Sequence, residues 1–516
     1  MNRAATVALG LLAVCSLASA KDLKGVFEDA VQNDPTIRQA NANRLAAREA
    51  RPQAWSAILP QLNGTAGINW DHNSGYQDQV TALTNPANPN GPPIYTVQPL
   101  PETIDATNKN WALSLRSSLI SWTNWMNIKA ASKEVAQAEA VYQAAEQNLI
   151  LRTAQAYFAV LAADDTLAAN QASLEAFNRQ LDQANKRFEV GLIAITDVQD
   201  AKSARDSAAA AVIAAKRALA TTQYQLAEIT GQQYDKLSKP GTDMPLKGPE
   251  PQDENSWVNI SLEQNPNLIS SRLAADVARD NVRAAIGGHM PTIDLVAGRS
   301  YTQQNSDQNI LYIPFSDVNS KFNDRQIGLQ VTVPIFSGGF TQSKVRQNEY
   351  LWIAAKEAVV ASSRTTERQA RDAYLGVISG IARVQALQQA VESSRTALKA
   401  TSAGYEVGTR TSVDVVNAQK TLVQAETDYA AARYDYLVSV LQLRFAAGIL
   451  DRAQLLQINN WLTLTTPTSP GQITPENVLP TTPASPDTPA SPPDAAPPTT
   501  TPPGAAPQAP PGSTKP

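Results

Sequence analysis

The sequence predicts a mainly α-helical fold that carries a transmembrane β-barrel, built from a duplicated helix–strand–strand–helix unit. Three observations predict it. A short turn occurs twice, as RFEVGLIAITDVQ with Gly191 and Asp197 and as GYEVGTRTSVDVV with Gly408 and Asp414, each flanked by long Ala-rich sequence of helical periodicity. Four segments of on the order of ten residues alternate apolar and polar side chains, the length of a tilted strand crossing a bilayer. Beyond the N-terminal segment there is no run of roughly 18 uninterrupted apolar residues, so any membrane crossing has to be made by strands.

Composition narrows the function classes. The chain has 516 residues, 43% of them hydrophobic, and a net charge of −4, a balance that gives no electrostatic case for nucleic acid. Residues 1–20 carry Arg3, an apolar run from Ala4 to Ala18, and Ala18-Ser19-Ala20 ahead of Lys21, the three-part form of a secretory signal peptide. The mature protein is predicted to start at Lys21. The single cysteine, Cys15, lies in that apolar run behind Val14, where lipidation would need a small residue, so ordinary cleavage is the reading. Disulfides, thiol nucleophiles and cysteine metal sites are then excluded.

The first repeat spans 21–230. Its residues 30–37, AVQNDPTI, line up with residues 261–268, SLEQNPNL, and Pro60 lines up with Pro291 at the same offset. After Pro35 the sequence favours helix to about Ile58, Pro52 notwithstanding, and Pro60 ends it. Strands are predicted at about 62–76 and 109–121, where Trp111, Leu113 and Leu115 alternate with Ala112, Ser114 and Arg116. The polar stretch between them, 73–108, reads as an exposed variable loop. Residues 123–190 contain neither Gly nor Pro, so a single helix could run about 100 Å at 1.5 Å per residue. Its heptad seam slips by one position after Ala163, a step that locally unwinds a supercoil. A second helix, 196–230, follows the tip and keeps a seam from Val198 to Ile229.

The second repeat, 257–448, has the same anatomy. Strands are predicted at about 292–303 and 324–337, with Ile327, Leu329, Val331, Val333 and Ile335 on one face, and long helices at 341–407 and 413–447. The helix after each tip is half as long as the one before it, and the helix ahead of the strands supplies the missing length. The linker 231–256 and the segment 449–462 therefore fall at a waist. Residues 463–516 are rich in Thr, Ser, Ala and Pro and hold half of the chain's 34 prolines, a disordered or polyproline tail. Trp70, Trp111, Trp122, Trp125, Tyr301, Phe336 and Phe340 lie near the strand ends, as in the aromatic girdles of a membrane barrel, although by themselves they read more simply as core residues.

No enzyme is predicted. His72 falls in a surface loop and His289 beside the Pro291 elbow, without a phosphate-binding loop, a metal-spaced ligand set or a nucleophile elbow, so no catalytic residue, metal or cofactor is implied. A periplasmic coiled-coil adaptor, or another non-enzymatic secreted helical protein, is the alternative reading. Four strands are too few to close a barrel, and an open sheet edge cannot face lipid, so chains must combine. A dimer is the minimum and a trimer would give about twelve strands; periodicity does not choose between them. From the turns alone, Asp197 and Asp414 read as caps of the helices that follow them and Arg410 as a solvated side chain.

The duplicated unit, the signal peptide, VPIFSGG at 333–339 and the two tip sequences resemble the TolC family of outer-membrane channels over about 21–460. The resemblance implies a homotrimer in the cell outer membrane with most of its mass in the periplasm. A trimeric 12-stranded β-barrel would continue into a 12-helix α-barrel tunnel, the exit duct for multidrug efflux pumps and type I protein secretion in a Gram-negative envelope. Periplasmic adaptor (membrane fusion) proteins and inner-membrane transporters would dock at its tip. Exported small molecules and proteins would pass through it, with outer-membrane lipid around the barrel and no nucleic-acid partner. By the same resemblance Asp414 belongs to the gate constriction, and Asn417 stands where the family pattern has a second aspartate. Thr196, Asp197, Tyr405 and Arg410 match the gate latch, and Gly191, Leu192, Gly408 and Thr409 the tip turns that meet the adaptor. Three Asp414 carboxylates around a threefold axis would favour cations, and Asn417 halves that charge.

Overall fold

The computed structural model describes residues 20–241, 244–310 and 313–468. The signal-peptide segment to residue 19 and the Pro-rich tail from residue 469 lie outside the described residues. In chain order the first repeat contains α1 (Leu23–Asn33), α2 (Pro35–Arg48), α3 (Ala50–Ser56), β1 (Gln61–Leu83), β2 (Ile94–Ile120), α4 (Trp122–Glu189) and α5 (Ile195–Thr230). A short strand, β3 (Lys236–Pro240), lies in the linker. The second repeat contains α6 (Glu254–Gln264), α7 (Pro266–Ile286), β4 (Thr292–Ile310), β5 (Ile313–Thr332), α8 (Phe340–Glu406) and α9 (Ser412–Ala446), followed by α10 (Arg452–Asn459) and β6 (Leu462–Pro467).

The four long strands form one antiparallel sheet in the order β1-β2-β4-β5. Register sorts its side chains into two faces. Leu62 stands opposite Leu115, Leu115 opposite Ala297, and Ala297 opposite Ile327, which makes one face apolar. The other face is polar and carries Arg116, whose Nη2 lies 2.6 Å from Oδ2 of the buried Asp294. The strands run well past their predicted ends. Most of the expected loop at 73–108 is a β-hairpin, with Tyr76 opposite Pro101 and Leu83 opposite Ile94. Its backbone ladder sets Val80 against Val97 and Ala82 against Tyr95, all exposed, an alternation too short to stand out beside the Asn/Pro/Gly-rich tip.

The helices keep the predicted seams. On α5 the buried residues are Val198, Ala201, Ala204, Ala208, Val212, Ala215, Leu219, Leu226 and Thr230, and the alanines among them let backbones approach closely. Helix α4 packs on α5, α7 and α9, and α8 on α7 and α9. The helix ahead of the strands differs from expectation: it breaks at Glu49, so that Pro52 falls in the first turn of α3, where its missing N–H has no helical partner to lose.

The Asn-Asp-Pro and Gln-Asn-Pro copies explain the junctions. Asp34 caps α2 by accepting from the Thr36 N–H at 2.8 Å, and Pro35 occupies the first helical position. Asn265 caps α7 in the same way, through the Asn267 N–H at 2.9 Å. Each junction also holds the end of the helix descending from a tip. Asn33 Nδ2 donates to the Thr230 carbonyl and Asn265 Nδ2 to the Ala446 carbonyl, both at 2.9 Å. Thus α5 ends where α2 begins, and α9 where α7 begins.

The main core lies at this level, around Tyr157, Phe158, Leu161, Leu219, Leu437 and Leu441. Here β3 pairs with β6, and Lys21 bridges to Leu237. The predicted start of the tail at 463 is therefore corrected. The Thr-rich run 462–467 is a β-branched edge strand, and Thr466 Oγ1 donates to Asp164 at 2.7 Å. Tyr157 Oη donates to the Ser238 carbonyl at 2.5 Å and Tyr434 Oη to Asp165 at 2.6 Å. Burial, the largest cause in each, pushes both hydroxyls well above the usual tyrosine range.

Candidate functional site: the two hairpin tips

Both tips are built by the same helix-ending device. After α4, Gly191 adopts φ 75°; its N–H donates to the Phe188 carbonyl at 2.8 Å and the Leu192 N–H to the Arg187 carbonyl at 2.9 Å. After α8, Gly408 adopts φ 79°, with Gly408 N–H to the Tyr405 carbonyl at 3.2 Å and Thr409 N–H to the Gly404 carbonyl at 2.8 Å. This is the Schellman arrangement, in which a left-handed residue closes the last turn. The turns leave Val190, Leu192 and Val407 exposed.

The two tips differ in how the next helix starts. Helix α9 opens on a capping box: Thr411 Oγ1 accepts from the Asp414 N–H at 3.2 Å, and Asp414 Oδ2 accepts from the Thr411 N–H at 2.9 Å. The Thr411 hydroxyl also donates to that Oδ2 at 2.9 Å. The Thr411 backbone N–H first, then its hydroxyl, and to a lesser degree Arg410, hold the Asp414 carboxyl below the usual carboxylate range. Both bonds go to Oδ2, so Oδ1 has no protein donor among the described residues. Asp414 is a cap and still has a free anionic oxygen. Helix α5, in contrast, opens on Ala194, which offers no side-chain cap, and Asp197 lies in its first turn. Asp197 and Thr196 make no side-chain hydrogen bond within the chain among the described residues. Asn417 is exposed one turn beyond Asp414.

Between the hairpins, the contact at the tip is Arg187 of α4 against Tyr405 of α8, with the guanidinium carbon 5.0 Å from the ring centroid. Within one chain neither Tyr405 nor Arg410 donates to Asp197 among the described residues. The stem of Arg410 instead folds over the last turn of α8. A Cβ on Gly404 would lie 2.8 Å from Arg410 Cγ, so Gly404 makes the room for it. Deeper in, Phe177, Ala204, Ala208 and Val416 bring α4, α5 and α9 together. Gln180 Nε2 and Ser412 Oγ, each one turn or less tipward of these residues, are buried without a partner among the described residues.

Arg187 and Gly404 were absent from the sequence reading, yet the repeat carries their signal. Aligning RFEVG with GYEVG places Arg187 on Gly404 and Phe188 on Tyr405. Within these five residues the repeats differ at two positions, and three of the four residues there are Arg187 and Tyr405, which meet, and Gly404, which clears space.

The chain matches the family described as Outer membrane efflux protein over residues 26–232 and 257–449, the two repeats without the linker between them. The chain belongs to this family. It is similar to the outer membrane protein TolC of Vibrio cholerae, 35% identical over 454 residues that cover 88% of this chain and 96% of that one. It is also similar to the alkaline protease secretion protein AprF of Pseudomonas aeruginosa, 26% identical over 83% of this chain and 84% of that one. The solved structure of the outer membrane protein VceC from Vibrio cholerae superposes with a TM-score of 0.64 over 83% of this chain and 96% of that one, at 20% identity, a likeness of fold. The protein is an outer-membrane channel of the efflux and type I secretion class and resides in the outer membrane. The reading as a periplasmic adaptor is set aside.

Proposed function

We propose that three copies of this chain close a 12-stranded barrel and a 12-helix tunnel whose entrance is the ring of six hairpin tips. The observation that carries this reading is the sheet: one face is apolar, and its edge strands β1 and β5 have no further strand partner among the described residues. In lipid each unpaired ladder has to be joined to another strand. The helices support it, because α8 leaves Leu351, Ile353, Leu375 and Ile378 uncovered, as a neighbouring chain would require.

In this arrangement the tips act as an iris. Asp414 contributes one carboxylate per copy to the constriction, its Oδ1 turned toward passing cations, and Asn417 leaves the second level of the ring uncharged. Thr196, Asp197, Tyr405 and Arg410 latch the hairpins closed; the donors Tyr405 and Arg410 suit the carboxylate of Asp197, which makes no side-chain hydrogen bond or ion pair within its own chain among the described residues. The exposed apolar turns at Gly191, Leu192, Gly408 and Thr409 receive periplasmic adaptors, which couple the channel to inner-membrane transporters. The protein is a conduit that performs no chemistry on the small molecules and proteins passing through it. Replacing Tyr405→Phe together with Arg410→Ser should raise single-channel conductance in planar bilayers, and an unchanged conductance removes the latch assignment. Unheated samples should migrate as a heat-modifiable trimer.

A further inference from the structure

The apolar face of the sheet changes character at one level. Nearest the helices it carries Leu115 and Ile327, and farther out the register places Arg299 directly opposite Arg325 across β4 and β5. Beyond them Trp111 stands opposite Tyr301, the rings stacked 6.4 Å apart. Farther still, Gln303 is flanked by Lys109 on β2 and Lys321 on β5. Two cationic rows thus bracket an aromatic row on the same face.

These four charges are uncompensated. All four side chains are exposed, and none makes an ion pair among the described residues. Like charges directly opposite each other across a sheet are destabilising. The neighbouring acids are on the other face: Asp324 alternates with Arg325 along β5, and Asp294, nearer the helices, pairs with Arg116. The first acids on the cationic face, Asp105 and Asp307, oppose each other two rows farther out. Arg299 is directed to the aromatic row, its guanidinium carbon 5.8 Å from the Trp111 ring centroid.

In an outer-membrane barrel the apolar face meets lipid and the strand ends away from the helices meet the outer leaflet. The cationic rows then lie where the headgroups of that leaflet begin, next to aromatic side chains suited to the interface. We propose that Arg299, Arg325, Lys109 and Lys321 hold the phosphate groups of an anionic glycolipid of the outer leaflet, with Trp111 and Tyr301 against the base of its headgroup. The arginine forks match phosphate oxygens bidentately, and the lysines act as point charges on the second row. A headgroup with more than one phosphate suits two rows four residues apart, roughly 13 Å along the strand.

The proposal rests on the apolar face being lipid-facing, and the experiment separates the two claims. The detergent-purified oligomer is exchanged with diphosphoryl lipid A, with the same lipid dephosphorylated, or with inorganic phosphate, and adducts are counted by native mass spectrometry. The wild type should retain the phosphorylated lipid at least tenfold better than the dephosphorylated one, while still retaining some of the latter. Arg299→Gln with Arg325→Gln should abolish the preference, and Arg299→Lys with Arg325→Lys should keep most of it. Only heat-modifiable oligomers are scored; if the glutamine pair does not assemble, Lys109→Gln with Lys321→Gln carries the same expectation. Equal retention of the two lipids by the wild type, a full preference in an assembled glutamine variant, or displacement of the lipid by millimolar inorganic phosphate overturns the headgroup site. Retention of neither lipid overturns the lipid-facing reading along with it.

Discussion

The contact between Arg187 and Tyr405 offers a way to weigh the closed tip in free energy. Tyr405→Leu removes the ring under the guanidinium, whereas Tyr405→Phe keeps the ring and deletes only the hydroxyl. A cation–π pair at an exposed site contributes about 0.5–1 kcal/mol. If three tips open together in a trimer, the loss triples to roughly 1.5–3 kcal/mol, a shift of about tenfold to a hundredfold in the ratio of open to closed channels at about 1.4 kcal/mol per decade. The assay is the open probability of single channels in planar bilayers at fixed voltage. Tyr405→Leu and Arg187→Ala should open to the same extent, more than the wild type, and combining them should add little because they remove one shared contact. If Tyr405→Leu opens no more often than Tyr405→Phe, the ring contact contributes nothing to closure and the hydroxyl alone is the latch.

Other consequences follow from the same geometry. Asp414→Ala should lower the cation preference measured as a reversal potential across a salt gradient; an unchanged potential counts against a lumen-facing carboxylate. The Asp414 carboxyl titrates below its unfolded range, so its capping contribution is complete above about pH 3.9 and is lost as pH falls through the depressed value. Hydrogen exchange at 411–417 should therefore be flat from neutral pH down to about pH 4 after correction for intrinsic rates, and rise only below that; loosening already at pH 5 would contradict it. Gly448, at φ 75°, has no space for a side chain: a Cβ would lie 2.5 Å from the Gln264 carbonyl oxygen and 2.6 Å from Asn265 Cα. Gly448→Ala should cost more than the roughly 1–2 kcal/mol of a left-handed alanine, whereas Gly408→Ala, with nothing within 4 Å of the new Cβ, should cost only that. Equal losses in thermal unfolding of the two variants would show that the close approach at Gly448 has no weight.

The sequence by itself determined the parts governed by local rules. Long helices free of Gly and Pro, their alanine seams, the Gly191 and Gly408 helix ends and the Pro35 and Pro266 helix starts all depend on the nearest few residues, so periodicity and capping chemistry make them legible. The duplication showed where the two halves correspond. Other features depend on which strand or helix lies alongside, and only the tertiary structure decided them. The hairpin beyond residue 76 is a ladder of backbone bonds between two short runs, with Val80 set against Val97 and Ala82 against Tyr95, and runs this short beside an Asn/Pro/Gly-rich tip do not reveal their pairing. The β3–β6 pair joins segments more than two hundred residues apart, so the Thr-rich run at 462–467 reads as tail until its partner is known. The same holds at the tips. The glycines and Asp414 could be named from the turn motif, and the clearance that Gly404 gives Arg410 is local to one turn, but the meeting of Arg187 with Tyr405 arises from two hairpins packed side by side, a distance that no spacing along one chain encodes.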